Sequence, residues 1–116
     1  MAIFTLEEAR ATLPEVREIT EHYYNQIVEL KEQFNKTESE QRKKDLIQEI
    51  NYVFSSWADE IHTLGAQVKG PWLVDFDSGD GIFYCWKYGE DDIQFFHRYE
   101  TGFEGRRPLD KLKQNP

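Results

Sequence analysis

Residues 72–99 decide the fold of this chain; they read WLVDFDSGDGIFYCWKYGEDDIQFFHRY. Three segments, 72–77, 82–88 and 92–99, are rich in aromatic and β-branched residues, and their side-chain types repeat with a period of two residues. A period of two is typical of β-strands. The short links DSGDG and GED are turn-forming, and links of this length join antiparallel neighbours. The stretch therefore predicts a three-stranded antiparallel meander.

The sequence upstream of this sheet opens with two helix-start signals. Thr5 and Glu8 form a capping box, with threonine at the N-cap and glutamate three residues later. Thr12 and Glu15 repeat that spacing around Pro14, and proline is accepted in the first turn of a helix. The two signals predict a short helix through Thr12, a bend, and then a longer helix.

Two apolar stripes with steps of three or four residues follow the second signal. They predict one helix over residues 13–35 and another over residues 46–64. Residues 35–44 contain no apolar side chain and form the predicted connection, in which Thr37 or Ser39 is the candidate cap of the next helix. Gly65 offers a left-handed stop to the second helix. Two stripes of similar length joined by a short polar link indicate an antiparallel helical hairpin.

The length of the chain indicates a single domain over residues 1–116. Its predicted class is α+β: a long antiparallel helical hairpin, preceded by a short N-terminal helix, packs on a small three-stranded antiparallel sheet. The helical part covers residues 5–64 and the β-meander covers residues 72–99. Residues 100–116 are predicted to form a loop-like tail.

Charge and cysteine content limit the classes of partner. The net charge is −8 and no basic stripe is present, so we expect no nucleic-acid partner and no membrane partner. No apolar run approaches the roughly 20 residues that span a bilayer. Cys85 is the single cysteine, which excludes an intramolecular disulfide and fits a reducing compartment. We therefore expect a cytoplasmic protein.

Both faces of the predicted sheet carry large apolar side chains. In the second strand Tyr84 and Trp86 alternate with Phe83 and Cys85. A sheet with one solvated face would alternate apolar and polar residues instead. The helices can cover one face. The other needs a short N-terminal helix, the tail, a ligand or a second subunit as its cover, and we expect a second subunit. The sequence thus predicts a homodimer.

Two blocks of this sequence carry a resemblance to a known family. FTLEEARATLPEVR at residues 4–17 resembles an opening signature, and LVDFDSGDGIFYCWKYGEDDIQFFHRYETGFEGRRPL at residues 73–109 resembles a closing one. The family is domain of unknown function 2203, a group of small bacterial proteins. The chain departs from the family pattern at Thr12, where a leucine is usual, and at Arg98, where an acid is usual. The resemblance implies a bacterial source but no activity.

Chemically capable side chains concentrate in residues 86–109. A carboxylate with an imidazole can act as a general base or hold a metal, and guanidiniums on a constrained Gly-Arg-Arg-Pro loop suit carboxylate or phosphate capture. The alternatives are a buried histidine that holds a turn and an ion pair within the chain. The candidate catalytic residues are Glu90, His97 and Arg106, and the candidate ligand-binding residues are Trp86, Tyr99, Arg106 and Arg107.

Weaker candidates for metal binding lie outside that stretch. Helical spacing places Glu18 near His22 and Asp59 near His62, as carboxylate–imidazole metal sites require. Solvated surface pairs would show the same spacing. A cation loop at Asp75, Asp77 and Asp80 competes with an ordinary hairpin turn. Cys85 lacks a CxxC partner and a basic neighbour, which is typical of a buried inert thiol.

These patterns support two functional hypotheses. The first is a self-associating interaction or structural module that uses an aromatic sheet face. The alternative is a small metal-assisted or acid–base enzyme, or a small-anion binder, with a site around Glu90, His97 and Arg106. No cofactor is predicted, although a divalent metal is possible.

Overall fold

The computed structural model describes residues 2–114 and shows an α+β fold with a helical hairpin, as predicted. The elements in chain order are α1 (Leu6–Lys36), α2 (Glu40–Thr63), β1 (Gln67–Gly70), β2 (Leu73–Asp77), β3 (Ile82–Lys87), β4 (Phe95–Arg98) and β5 (Arg107–Pro108), with 3₁₀ turns at Phe103–Gly105 and Leu109–Gln114. The strands form one antiparallel sheet in chain order. No helix within residues 2–114 has the length and apolar character needed to cross a bilayer.

The first helix is continuous, so the prediction of a short helix, a bend and a second helix is wrong. The capping box of Thr5 and Glu8 is present at its start. The Thr12 hydroxyl, however, donates to the carbonyl of Glu8 inside the helix and caps nothing. Pro14 is exposed, so the carbonyl that it leaves without a donor faces water. Ala9, Leu13 and Val16 are buried on both sides of the proline in one core, which holds the helix straight through it.

The second helix begins inside the polar segment, at one of the two predicted caps. Its N-cap is Ser39, whose hydroxyl accepts from the backbone N–H of Arg42. Only residues 37–39 connect the two helices, because the polar residues after the cap continue the helix on its solvent face. Gly65 follows α2 with a φ of 92°, so the predicted left-handed stop is confirmed.

The sheet has five strands, and the prediction of three missed both edges. β1 and β5 contain four and two residues, too few for a period of two to show. Pro71 and Trp72 connect β1 to β2, and Trp72 has a φ of 65°, a conformation that normally favours glycine. Its ring packs against Tyr24, Phe54 and Trp57 of the helices. These aromatic contacts offset the strained backbone.

One face of the sheet packs against the hairpin and forms the core. The strand pairing places Val74 opposite Trp86 and Phe76 opposite Tyr84 on this face. Trp57 of α2 is buried beside them, and its indole N–H donates to the hydroxyl of Thr20 on α1 at 2.9 Å. This bond ties the two helices together where they meet the sheet.

The opposite face is covered by the chain itself, through residues 101–106. Phe83, Cys85 and His97 on this face are 8%, 1% and 4% exposed. The predicted tail is therefore not an open loop in its described part; residues 115–116 lie outside the described range. The fold does not require a second subunit to cover the sheet, and the homodimer stays a prediction.

Candidate functional site

Three chemically capable side chains meet beneath the tail. The pairing of β2 with β3 places Asp75 opposite Cys85, and the pairing of β3 with β4 places His97 opposite Phe83, one diagonal step away. Alternation along the strands turns all three side chains to the face away from the helices. Asp75, Cys85 and His97 are 1%, 1% and 4% exposed. One ligand atom from each lies within 4.8 Å of the other two.

The imidazole of His97 is fixed in one orientation by two hydrogen bonds. Its Nδ1 lies 2.9 Å from the carbonyl oxygen of Arg98. A carbonyl can only accept, so Nδ1 carries a proton. Its Nε2 lies 2.8 Å from Oδ2 of Asp75. Asp75 and His97 therefore share one proton at that contact, and Nε2 is the ring nitrogen directed at the cluster.

The carboxyl group of Asp75 is only partly satisfied. Its Oδ1 is buried and has no full hydrogen-bond partner among the described residues. The thiol of Cys85, a weak donor, is the only described group that interacts with this carboxyl besides His97 and Lys69. Native structures rarely leave such an oxygen unexplained. Burial raises the pKa of Asp75, while the charge of His97 opposes that shift. A cation at this position would favour the carboxylate form that burial disfavours.

The thiol of Cys85 is protonated at neutral pH. Burial, followed by the charge of Asp75, raises its pKa to about 12. The thiolate is the nucleophilic form of cysteine, so this environment opposes a cysteine-nucleophile mechanism. A bound metal ion would reverse the situation, because it deprotonates the thiol that ligates it.

A cavity of about 190 Å³ adjoins the cluster. Phe103 and Thr101 of the tail form one wall and Lys69 of β1 another. The ammonium group of Lys69 lies 4.6 Å from the ring centroid of Phe83. The cavity gives small molecules a place beside Asp75, Cys85 and His97, under a largely apolar cover.

Two predicted site residues, Glu90 and Arg106, fasten the tail instead of joining this cluster. One terminal nitrogen of Arg106 lies 2.7 Å from both carboxylate oxygens of Glu90. The guanidinium also stacks between Phe95 and Phe103, 4.1 and 4.5 Å from their ring centroids. Glu90 accepts from the backbone N–H of Lys87 as well. Arg106 therefore forms an ion pair within the chain, which is the alternative to ligand capture that the sequence left open.

The other predicted ligand-binding residues are separated in space. Trp86 is fully buried in the core, where its indole N–H donates to the carbonyl of Glu90. Tyr99 is exposed and its hydroxyl donates to Asp77 at 2.5 Å. Arg107 is exposed on β5. Trp86 and Tyr99 lie on opposite faces of the sheet, so these residues do not form one pocket.

The helical metal candidates do not form a ligand cluster within residues 2–114. Nε2 of His22 contacts Gln26 at 3.1 Å, and Nε2 of His62 lies 3.4 Å from the backbone N–H of Val68. Their predicted partners Glu18 and Asp59 are exposed. In the β2–β3 turn, Asp77 accepts from the backbone N–H of Gly79, as an ordinary hairpin turn requires. Within the described range, Asp75, Cys85 and His97 are the only three His, Cys, Asp or Glu side chains whose ligand atoms lie within 4.8 Å of one another.

Residues 2–109 match the family described as Uncharacterized conserved protein (DUF2203), and the chain belongs to that family. The resemblance seen in the two terminal blocks is thereby confirmed. Comparison with curated proteins and with solved structures finds no match for this chain.

Proposed function

We propose that this protein binds one divalent transition metal ion of the Zn²⁺ class through Asp75, Cys85 and His97. The observation that carries the proposal is the buried, unpartnered Oδ1 of Asp75 beside a thiol and an imidazole nitrogen. Carboxylate, thiolate and imidazole are all ligands that zinc accepts in proteins. A metal ion would supply the missing partner of Oδ1 and would coordinate the thiolate and the imidazole nitrogen.

The orientation of His97 supports a metal ligand. Metal-bound histidines usually donate their other ring N–H to a carbonyl or carboxylate, which fixes the tautomer. The contact from Nδ1 to the Arg98 carbonyl supplies that bond and leaves Nε2 available. In a metal-bound state Nε2 would be deprotonated and its lone pair would replace the present contact with Asp75.

The spacing of the three donors is close to what a tetrahedral ion needs. Bond lengths of about 2.0–2.3 Å put tetrahedral ligand atoms roughly 3.4 Å apart. For Asp75 to bind through Oδ2 instead of Oδ1, the Nε2–Oδ2 pair, now 2.8 Å apart, must open by roughly 0.6 Å. The sulfur of Cys85 lies within 4.8 Å of the ligand atoms of Asp75 and His97. The adjoining cavity leaves the fourth position to water or a small ligand, as in catalytic rather than structural zinc sites.

Cobalt titration of chelator-treated protein tests the proposal. We expect one Co²⁺ ion per chain, with a near-ultraviolet thiolate-to-cobalt charge-transfer absorption and release of the Cys85 proton into solution. Zn²⁺ should displace the cobalt and raise the melting temperature. Cys85→Ser should abolish the charge-transfer band, and Asp75→Asn should weaken binding by more than about a hundredfold, since outer-shell changes alone cost roughly 10–100-fold.

The matched control is Asp77→Asn, which makes the same chemical change two residues along the same strand face. It should bind cobalt as the parent protein does. Circular dichroism of each variant shows whether it is folded. The proposal is wrong if the folded parent protein binds no Co²⁺ or Zn²⁺, or if Cys85→Ser and Asp75→Asn bind them as tightly as Asp77→Asn does.

A further inference from the structure

A second, larger concavity of about 770 Å³ lies on the helix-side face of the sheet, beyond the start of α1. Ile82, Tyr84 and Phe96 line it. Tyr84 and Phe96 are directly paired across β3 and β4, so they present adjoining aromatic surface. Phe96 is only 6% exposed, so Ile82 and Tyr84 supply most of the apolar floor of the groove, and its volume is within the usual range of ligand pockets, roughly 300–1,000 Å³.

Three cationic side chains stand around this floor. Arg98 ends β4 opposite Ile82, and Arg107 lies on β5 opposite Phe96. Cross-strand pairing turns both arginines to the groove side of the sheet, one diagonal step apart. Lys111 lines the groove from the 3₁₀ turn that follows β5. Among residues 2–112, whose side chains the structure describes, Arg98, Arg107 and Lys111 form no salt bridge and no side-chain hydrogen bond.

Unpaired cations at one place are notable in a chain of net charge −8. Glu8, Asp80 and Glu104 also line the groove. One carboxylate oxygen of Glu8 is engaged by the backbone N–H of Thr5 at 2.9 Å. Asp80 and Glu104 are exposed. The acids lie near the arginines without neutralising them by direct contact.

We propose that this groove binds a phosphate monoester that carries a flat apolar group. Arginine presents a planar fork of donors that fits phosphate oxygens in pairs, and a lysine adds a third positive charge. The aromatic floor would accept the apolar group. The groove and the metal cavity both have His97 and Thr101 in their linings, but Arg98 and Arg107 lie on the opposite face of the sheet from Asp75 and Cys85.

Phenyl phosphate is the probe, and backbone amide shifts of isotope-labelled, chelator-treated protein are the readout. We expect saturable shifts at the groove, with tighter binding than for inorganic phosphate or for phenol. Arg98→Gln and Arg107→Gln should each weaken binding about tenfold, the loss of one charged hydrogen-bonding partner. Added salt should weaken binding because the site is exposed.

Two control variants separate this proposal from its alternatives. Lys44→Gln, at the far end of the hairpin, removes one positive charge and should leave the affinity unchanged. Lys36→Gln, at the same end of the hairpin, should also leave it unchanged, and the use of chelator-treated protein means that a failure of the metal site does not mimic a failure here. The proposal is overturned if phenyl phosphate causes no saturable shifts at the groove. It is equally overturned if inorganic phosphate binds as tightly, or if Lys44→Gln weakens binding as much as the arginine variants do.

Discussion

Replacement of Arg106 by glutamine should destabilise the protein by about 3 kcal/mol. The side chains of Arg106 and Glu90 are only 13% and 19% accessible. A charged hydrogen bond of this kind contributes roughly 1.5–3 kcal/mol, and stacking on two rings adds roughly 0.5–1 kcal/mol each. The backbone N–H of Lys87 still contacts Glu90 in the variant, which keeps the expected loss at the lower end of the range for broken buried pairs, about 3–5 kcal/mol.

Urea unfolding followed by tryptophan fluorescence measures this loss. Arg107→Gln is the matched control, since it makes the same change at the exposed neighbouring position and should stay within about 0.5 kcal/mol of the parent protein. Glu90→Gln and the double variant complete a cycle. The two single losses should exceed the double loss by roughly 0.5–3 kcal/mol, because both remove the same contact.

The same variant should also uncover the face that the tail protects. Cys85 is the single cysteine of the chain and is buried under residues 101–106, so its reaction with a thiol reagent reports opening of the tail. We expect the reaction to be faster in Arg106→Gln than in Arg107→Gln. A loss of stability below about 1 kcal/mol, with unchanged thiol reactivity, would show that Arg106 does not fasten the tail.

Three further predictions concern the helices. Pro14→Ala should raise the free energy of unfolding by about 1–3 kcal/mol, because proline inside a helix costs roughly 3 kcal/mol relative to alanine; an unchanged or lower value in urea unfolding would contradict the continuous α1. Thr20→Val should lower it by about 1–3 kcal/mol, since the buried indole N–H of Trp57 loses its acceptor, whereas the exposed Thr63→Val should cost little. The hydrogen bond to Glu60 raises the pKa of Tyr23 to about 12, so the folded state holds a proton that the unfolded state releases near pH 10. Stability should therefore fall as the pH rises from about 10 to 12, and Tyr23→Phe should flatten that slope relative to the parent protein.

The helical hairpin and the central strands were predictable because their signals are long and periodic. The stripe over residues 46–64 runs for several turns, and the alternation in β3 covers six residues. The predicted bend at Pro14 is wrong because the local helix-start signal is overridden by tertiary packing: Ala9 and Val16, on either side of the proline, are buried in the same core. β5 was invisible because two residues carry no period, and it exists only because β4 offers it an edge.

The candidate site was half predictable. The sequence indicates His97 as a site residue and suggests Glu90 as its carboxylate partner, because the two lie close in sequence. The carboxylate that contacts His97 belongs instead to Asp75, 22 residues away. The register that joins them follows from two short hairpin turns. Pairing the strands across those two turns places Asp75, Cys85 and His97 on one face of the sheet. Which face the tail covers depends on the stacking of Phe103, which no local pattern shows.

The composition of the covered face argues that it serves more than stability. A buried ion pair is often no more stabilising than apolar residues of similar volume in its place, and Asp75 keeps a buried oxygen without a partner. Phe83 and Phe95 show that large apolar side chains are compatible with the same face. A carboxyl, a thiol and an imidazole packed together under an apolar cover therefore weaken this layer, unless a cation joins them. Places where a sequence departs from the best packing are expected to be functional ones. Under the proposed metal-binding function, the Arg106–Glu90 pair, which holds the tail over these groups, would keep the donors assembled and shielded from bulk water.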